Sequence, residues 1–290
     1  MRKKLTKGHV VIVILLILAA LVCLYPLWYT LIVSFSDKAY VEGGRVWIIP
    51  RGFNIKSYIK ILQDNVFFSA LFVSIKRVAV GCSLNMLLLV LTAFPLCLHG
   101  KKFPEGKFFK WFFMANMLFN GGMIPSYVLI RQYGLFDSFW SMILPGALPI
   151  WNMILMINFF RNVPYELNES ATIDGANPFQ ILFKIYVPLC VPSLACLFLF
   201  QFVGHWNSYF DGLLYINDVA KQPLQTYIYN LSVTLDYSTM SSEEIIALAA
   251  TSDKTLNAAK VVVAMVPILC VYPFIQKYFT AGMTLGAVKG

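Results

Sequence analysis

Charge is scarce in this sequence. Of its 290 residues only 13% are charged, whereas 59% are hydrophobic. A soluble chain carries roughly a quarter charged residues, so an ordinary water-soluble domain is excluded. Histidine is scarcer still. His9, His99 and His205 lie too far apart to suggest a metal cluster, and no H-E-x-x-H is present. A phosphate-binding G-x-x-x-x-G-K-[ST] loop and a G-x-S-x-G nucleophile elbow are also missing. The chain is therefore expected to bind no ATP, cofactor or metal of its own and not to be an enzyme. Six cysteines (Cys23, Cys82, Cys97, Cys190, Cys196 and Cys270) lie within or beside apolar runs without metal-ligand spacing, as small core hydrophobes do. There is no sustained repeat and no low-complexity segment.

Long uncharged runs fill the space that charge leaves. Met1-Arg2-Lys3-Lys4 and Lys7 precede Val10 to Ser36, 27 residues without a charge. This exceeds the apolar core of a secretory signal and has no evident cleavage site, so it predicts a retained transmembrane helix with its N-terminus inside. Further spans are expected over Val78–Leu98, Trp111–Ile130, Ser138–Phe160, Ile185–Phe210 and, most weakly, Ala258–Phe279, where 16 uncharged residues separate Lys260 from Lys277. Both lysines are expected to snorkel. Lys76 and Arg77 invite two readings: functional charges inside the membrane, or side chains snorkelling to the outer interface, which is preferred here.

The expected class is all-α: a polytopic membrane protein with six transmembrane helices and both termini cytoplasmic. Basic residues gather at the N-terminus and between Lys101 and Lys110, as inside segments do. Asn54 to Asn65 carries Ile55, Tyr58, Ile59 and Leu62 at helical spacing and should lie along the outer surface. Residues 211–257 form the longest outer loop, with six acids against two bases, and Leu224, Tyr227, Ile228 and Leu231 predict a surface helix within it.

One stretch, Pro164 to Pro192, is polar without looking like a turn. Pro164 suits a first helical position, Gly175 ends that helix in the left-handed region, and Asn177-Pro178 starts a second helix as cap and first residue. Phe179, Leu182, Phe183 and Tyr186 then share a face. The result is an elbow, which on geometry alone is either a docking knob or an interfacial hairpin.

The residues of the elbow resemble a family signature. Glu169-Ser170-Ala171, three residues, Gly175, nine residues, then Ile185-Tyr186-Val187-Pro188 keeps the spacing of the "EAA" motif of ABC importer permeases, with Ser170 for Ala and Val187 for Leu. Across nearly its whole length the chain resembles carbohydrate-importer permeases of the maltose-transporter type. The six-span layout, the Trp206-Asn207 pair and the C-terminal Gly286-Ala287-Val288-Lys289-Gly290 carry that likeness. Phe119-Asn120-Gly121-Gly122-Met123-Ile124-Pro125 resembles the subgroup handling pectin-derived or alginate fragments.

The resemblance implies a type I ABC importer permease fold, alternating access and assembly in the bacterial cytoplasmic membrane. The partners it implies are a second permease subunit, two ATPase subunits that bind ATP and Mg, and an extracytoplasmic solute-binding protein. It casts residues 161–190 as the coupling loop, with Glu169, Ser170, Ala171, Asp174, Gly175, Ala176, Ile185 and Pro188 meeting an ATPase. Ala171 and Ala176 would permit close approach. It places the flexible tail 280–290, with Lys289 and Gly290, at the ATPase interface.

A sugar path needs aromatic faces and hydrogen-bonding amides or carboxylates. Gln201, His205, Trp206, Asn207, Tyr209 and Asp211 at the end of the fifth run, with Asn120, Trp151, Asn152 and Asn158, are the candidates. The alternative for the aromatics is an interfacial belt, and for the amides helix–helix contacts. A permease for an amino acid or polyamine would share the elbow. A channel or secondary transporter would not need it.

Overall fold

The computed structural model describes residues 7–98, 103–119, 121–233 and 254–287. All regular structure among them is helical. The chain divides into two compact units, residues 1–68 with 228–267, and residues 69–227 with 268–290.

In the first unit, α1 (Lys7–Ser34) is the expected first span. A short helix α2 (Lys38–Glu42) follows, capped by the Asp37 carboxylate, and α3 (Lys56–Leu62) occupies the centre of the expected surface helix. Ile32, Val33 and Val46 form a small core. Phe35 stacks between Phe53 and Tyr58 at ring-centroid distances of 5.6 and 4.9 Å. Lys260 does not snorkel. Its ammonium lies 2.6 Å from Asp64, and its side chain is only 6% exposed. A buried ammonium is tolerated because the carboxylate replaces part of its hydration.

The second unit holds most of α4 (Asn65–Cys97), a 33-residue helix that starts well before the expected second span. At about 1.5 Å per residue it measures roughly 50 Å, against a hydrocarbon core of about 30 Å.

The third, fourth and fifth spans are each broken into two helical pieces. The third becomes α5 (Gly106–Leu118) and α6 (Met123–Gln132), which starts from Gly122 at φ 88°, a conformation that favours glycine. The fourth is two 3₁₀ turns, Phe139–Met142 and Leu144–Gly146, then α7 (Ile150–Arg161) after a 47° bend. Pro145 and Pro149 each remove a backbone donor there, which explains the break.

In the fifth, residues from Ile185 to Leu189 belong to the elbow, not the span. Helix α9 (Pro178–Leu189) meets α10 (Val191–Asn207) at 84°. Short α11 (Phe210–Tyr215) follows, and α12 (Leu224–Val233) forms where a surface helix was expected, but with Leu224 and Thr226 fully buried. Counting each bent pair as one crossing gives six segments long and apolar enough to cross a membrane among the described residues.

The last helix, α13 (Lys254–Ala287), includes the sixth span. Its backbone stays helical through Ala287, whereas a flexible tail was expected from Thr280. At a helical rise, those eight residues reach about 12 Å, less than half of their extended length. Residues 234–253, Asn120, Lys289 and Gly290 lie outside the described residues.

Candidate functional site: a polar knot and an exposed elbow

On α4, Arg77, Gly81 and Asn85 recur every fourth residue and so share a face. On α10 and just beyond it, Gln201, Gly204, His205 and Ser208, spaced i, i+3, i+4 and i+7, also share a face. The two faces meet closely because Gly81 has no side chain: a β-carbon there would lie 2.7 Å from the His205 ring. With Ser141, Met142, Pro145 and Gly146 from the broken fourth span, and with Asp211 and Tyr215, these residues other than Gly81 line a cavity of about 280 Å³.

Arg77 is 3% exposed and does not snorkel, which corrects the preferred sequence reading. Both terminal nitrogens pair with the Asp211 carboxylate, one of them at 3.0 Å. They also donate to the carbonyls of Ser208 and Met142, each at 3.3 Å. Asp211 in turn accepts from the Ser208 hydroxyl at 2.8 Å and the Gly212 amide at 2.9 Å. The fork of a guanidinium meets a carboxylate through two parallel bonds, which fixes orientation as well as charge. Lys76 takes another course, with its ammonium 4.5 Å from the centroid of the Phe139 ring.

Asn85 joins three elements. Its amide nitrogen donates to the Gly146 carbonyl at 3.1 Å and to Gln201 Oε1 at 2.9 Å. Its Oδ1 lies 3.4 Å from His205 Nε2. An amide oxygen only accepts, so the histidine carries its proton on Nε2 in this contact. The knot can orient hydroxyl and carboxylate groups by hydrogen bonding.

Three of the expected path residues, Gln201, His205 and Asp211, are brought together here. The others are not. Trp206 is 2% exposed and stacks parallel to Phe202 at 6.3 Å, so its face serves packing rather than an open sugar platform. Asn207, Tyr209, Trp151 and Asn158 are exposed, and Asn152 is buried, none of them lining the cavity. Asn85, Ser141 and Ser208 escaped the sequence reading. For Asn85 a signal existed: a lone amide in an apolar run, eight residues from Arg77 and therefore on the same helical face.

In the turn that follows α6, Asp137 holds an uncommon φ of 56°. Its carboxylate accepts from the amides of Asn217 and Asp218, both at 3.1 Å, and pairs with Lys221 at 2.9 Å. The Lys221 hydrogen bond, followed by the Asp218 amide, lowers the pKa of Asp137 below its usual value, while the same bond raises that of Lys221. A depressed carboxylate contributes stability above its unfolded value, near 4, and loses it as pH falls through the folded value. The raised lysine contributes below its own unfolded value, near 10.4, and loses this as pH rises through the folded value. Amide exchange protection at Asn217 and Asp218 should therefore be level between these limits and fall in acid. Asp137→Asn, which tolerates the positive φ, should flatten the acid limb. An unchanged acid limb in this variant would show that another group drives it.

The elbow forms as its sequence dictates. α8 (Tyr165–Ile173) starts one residue later than expected, with Pro164 at the cap rather than the first helical position, and Gly175 takes φ 81° with no atom within 4 Å of where a β-carbon would stand. Asn177 and Gln180 form a reciprocal capping box, both bonds 2.9 Å. A π turn, Leu182–Tyr186, was not foreseen. Pro188 cannot donate to the carbonyl four residues back, and a wider turn relieves the clash of its ring.

One side of the elbow is anchored. Tyr186 packs edge-on against Phe94 of α4 at 5.1 Å and Phe160 of α7 at 5.5 Å. Ala171 is buried in this same core and Ala176 packs against it, so their small size serves packing beneath the elbow rather than an open approach face. Pro188 is exposed and Ile185 half-buried. The other side is open. Glu169, Ser170 and Asp174 are exposed, as are Leu167 (40%), Ile173 (86%), Phe179 (66%) and Phe183 (48%).

Apolar spans, several of them broken, and a polar elbow anchored on one side place the chain among polytopic membrane proteins. The comparisons with known proteins make this specific. Residues 67–285 match the model of the binding-protein-dependent transport system inner membrane component family, and the chain belongs to that family. It is 36% identical over 275 residues to the polygalacturonan/rhamnogalacturonan transport system permease protein YtcP of Bacillus subtilis, covering 95% of this chain and 96% of the relative. It is also 36% identical over 270 residues to protein LplC of the same organism, covering 93% and 90%. Among solved structures, it superimposes with a TM-score of 0.83 and 32% identity on a chain from a bacterial ABC transporter involved in the import of the acidic polysaccharide alginate, over 94% of this chain and 96% of that one.

Proposed function

We propose that this chain is one of two permease subunits of an ATP-driven, binding-protein-dependent importer that moves an oligosaccharide, of the pectin-fragment or alginate type, by alternating access. ATP and Mg belong to two partner ATPases. The elbow carries this reading: an exposed knob of Leu167, Glu169, Ile173, Phe179 and Phe183, turned at Gly175 and fixed to the spans through Tyr186. A rigid link of this kind passes a push on the knob directly to α4 and α7. The names and identities of the relatives support the sugar class.

In this reading residues 161–190 form the cytoplasmic coupling loop, and both termini are cytoplasmic. Residues 211–257 face the solute-binding protein, and 280–290 reach toward the ATPases with Lys289 and Gly290. Gln201, His205 and Asp211 belong to the polar knot that holds the path's walls in register. The test is co-reconstitution with the second permease, the ATPases and the binding protein in vesicles. ATP-dependent uptake of oligogalacturonate or alginate oligomers is expected, with none for amino acids or polyamines. Uptake of the latter alone would overturn the sugar class. A membrane-impermeant thiol reagent should modify Ser170→Cys from the cytoplasmic side only, and modification from outside would overturn the topology.

A further inference from the structure

The segment after α1 turns back along that helix. Trp28, six residues before the end of α1 at Ser34, donates its indole N–H to the Ile48 carbonyl at 3.1 Å. Tyr25, Tyr29, Gly44, Val46 and Trp47 line one small cavity. Residues 44–48 therefore lie beside helix turns about 7–14 Å short of the α1 terminus, at 1.5 Å per residue. Twenty residues cross the hydrocarbon core, and counted from Val10 they end at Tyr29. By this count the segment falls at the depth where one leaflet's hydrocarbon meets its headgroups.

Its backbone is held while its large side chains are not covered. Val46 is buried against Ile32 and Val33, the Arg51 amide donates to the Ser36 hydroxyl at 3.2 Å, and the Asn54 amide donates to the Phe35 carbonyl at 3.0 Å. Gly44 and Gly52 turn the chain at φ 65° and 63°. Between these anchors Trp47, Ile48 and Ile49 are 67%, 66% and 72% exposed, followed by Phe53 at 69%. Arg45 and Arg51 are exposed on either side of the run. Three large apolar groups between two cations, with a fourth just beyond the second, match an interface with acyl chains below and phosphates above.

We propose that residues 44–53 form an interfacial wedge that inserts Trp47, Ile48, Ile49 and Phe53 into the leaflet facing away from the N-terminus, with Arg45 and Arg51 on anionic phospholipid headgroups. The occupant is lipid because depth, apolar run and flanking charge coincide. The wedge holds the end of the first span at fixed depth. Assigning it to the outer leaflet rests on the proposed cytoplasmic N-terminus.

The test places the photoreactive amino acid p-benzoyl-phenylalanine at position 49 in the assembled importer, in membranes containing phosphatidylglycerol and phosphatidylethanolamine. The expected product is an adduct with phospholipid. An adduct with another subunit or the binding protein would overturn the proposal, as would no adduct at all, since water does not react. The same amino acid at position 173 of the elbow should give no lipid adduct. Arg45→Gln with Arg51→Gln should lower the phosphatidylglycerol share of the adducts, by at most about fivefold per arginine. An unchanged share would overturn the headgroup contact. Thiol labelling at Ser170 reports topology independently, so a wrong leaflet and a wrong occupant give different results.

Discussion

Asp211→Ala is expected to be the most damaging single substitution in the polar knot, lowering stability by about 3 kcal/mol. Removing one partner of a buried pair typically costs roughly 3–5 kcal/mol. The lower end applies because the Asp211 side chain keeps 23% exposure, against 3% for Arg77. The substitution leaves a guanidinium buried with two carbonyl acceptors and no counter-charge, and Arg77 Nε is already buried without a hydrogen-bond partner. Arg77→Met should cost less, because the Asp211 carboxylate keeps the Ser208 hydroxyl and the Gly212 amide. The double variant Arg77→Met, Asp211→Leu should recover part of the loss, since apolar groups of similar volume replace a buried pair at little cost. Thermal unfolding of the purified importer in detergent, with and without the double change, measures this. Equal losses in all three variants would mean that the pair is not the source of stability.

Gly175→Val is expected to reduce coupled uptake on the order of ten- to thirtyfold while leaving membrane insertion intact. A left-handed residue costs an L-amino acid roughly 1–2 kcal/mol, and a β-branched side chain more. Space is not the cause, because nothing lies within 4 Å of the added carbon. Variants should therefore rank by tolerance of φ 81°, with Asn nearly normal, Ala intermediate and Val worst. Each lowers the fraction of elbows able to dock, and apparent affinity for the ATPase falls by that fraction. Uptake measured against ATPase concentration separates this from a failed pore, since excess ATPase should partly rescue Val. If Asn were as harmful as Val, crowding at the docking face would be the better explanation.

Much of this protein was legible without coordinates because the responsible physics is local. Uncharged runs long enough for a bilayer set the number of crossings. Within the elbow, Pro164, Gly175, Asn177 and Pro178 each act within one turn of themselves, so the bend, the positive φ and the capping box could be read directly. The spacing of Glu169, Gly175 and Pro188 pointed to the family. The breaks at Pro145, Pro149 and Gly122 were also written in the chain, but an apolar run shows only that a segment is long enough, not that it is straight.

Only the tertiary structure decided where the charges went. Arg77 and Asp211 are 134 residues apart, as Lys260 and Asp64 are 196 apart. A lone charge in an apolar run has two physical remedies, reaching for water or finding a counter-ion, and its neighbours in sequence do not distinguish them. Trp206 shows the same limit: an indole suits a sugar platform or a packed core equally, and the choice falls to the helix face that happens to point inward. Ala171 and Ala176 are small enough for either side of the elbow, and the core cluster that buries Ala171 and meets Ala176 assigned them to the inner one. Capping, turning and spanning are determined within a few residues. Pairing, burial and exposure belong to the three-dimensional arrangement, because the partner that satisfies a charge or covers a ring lies far along the chain.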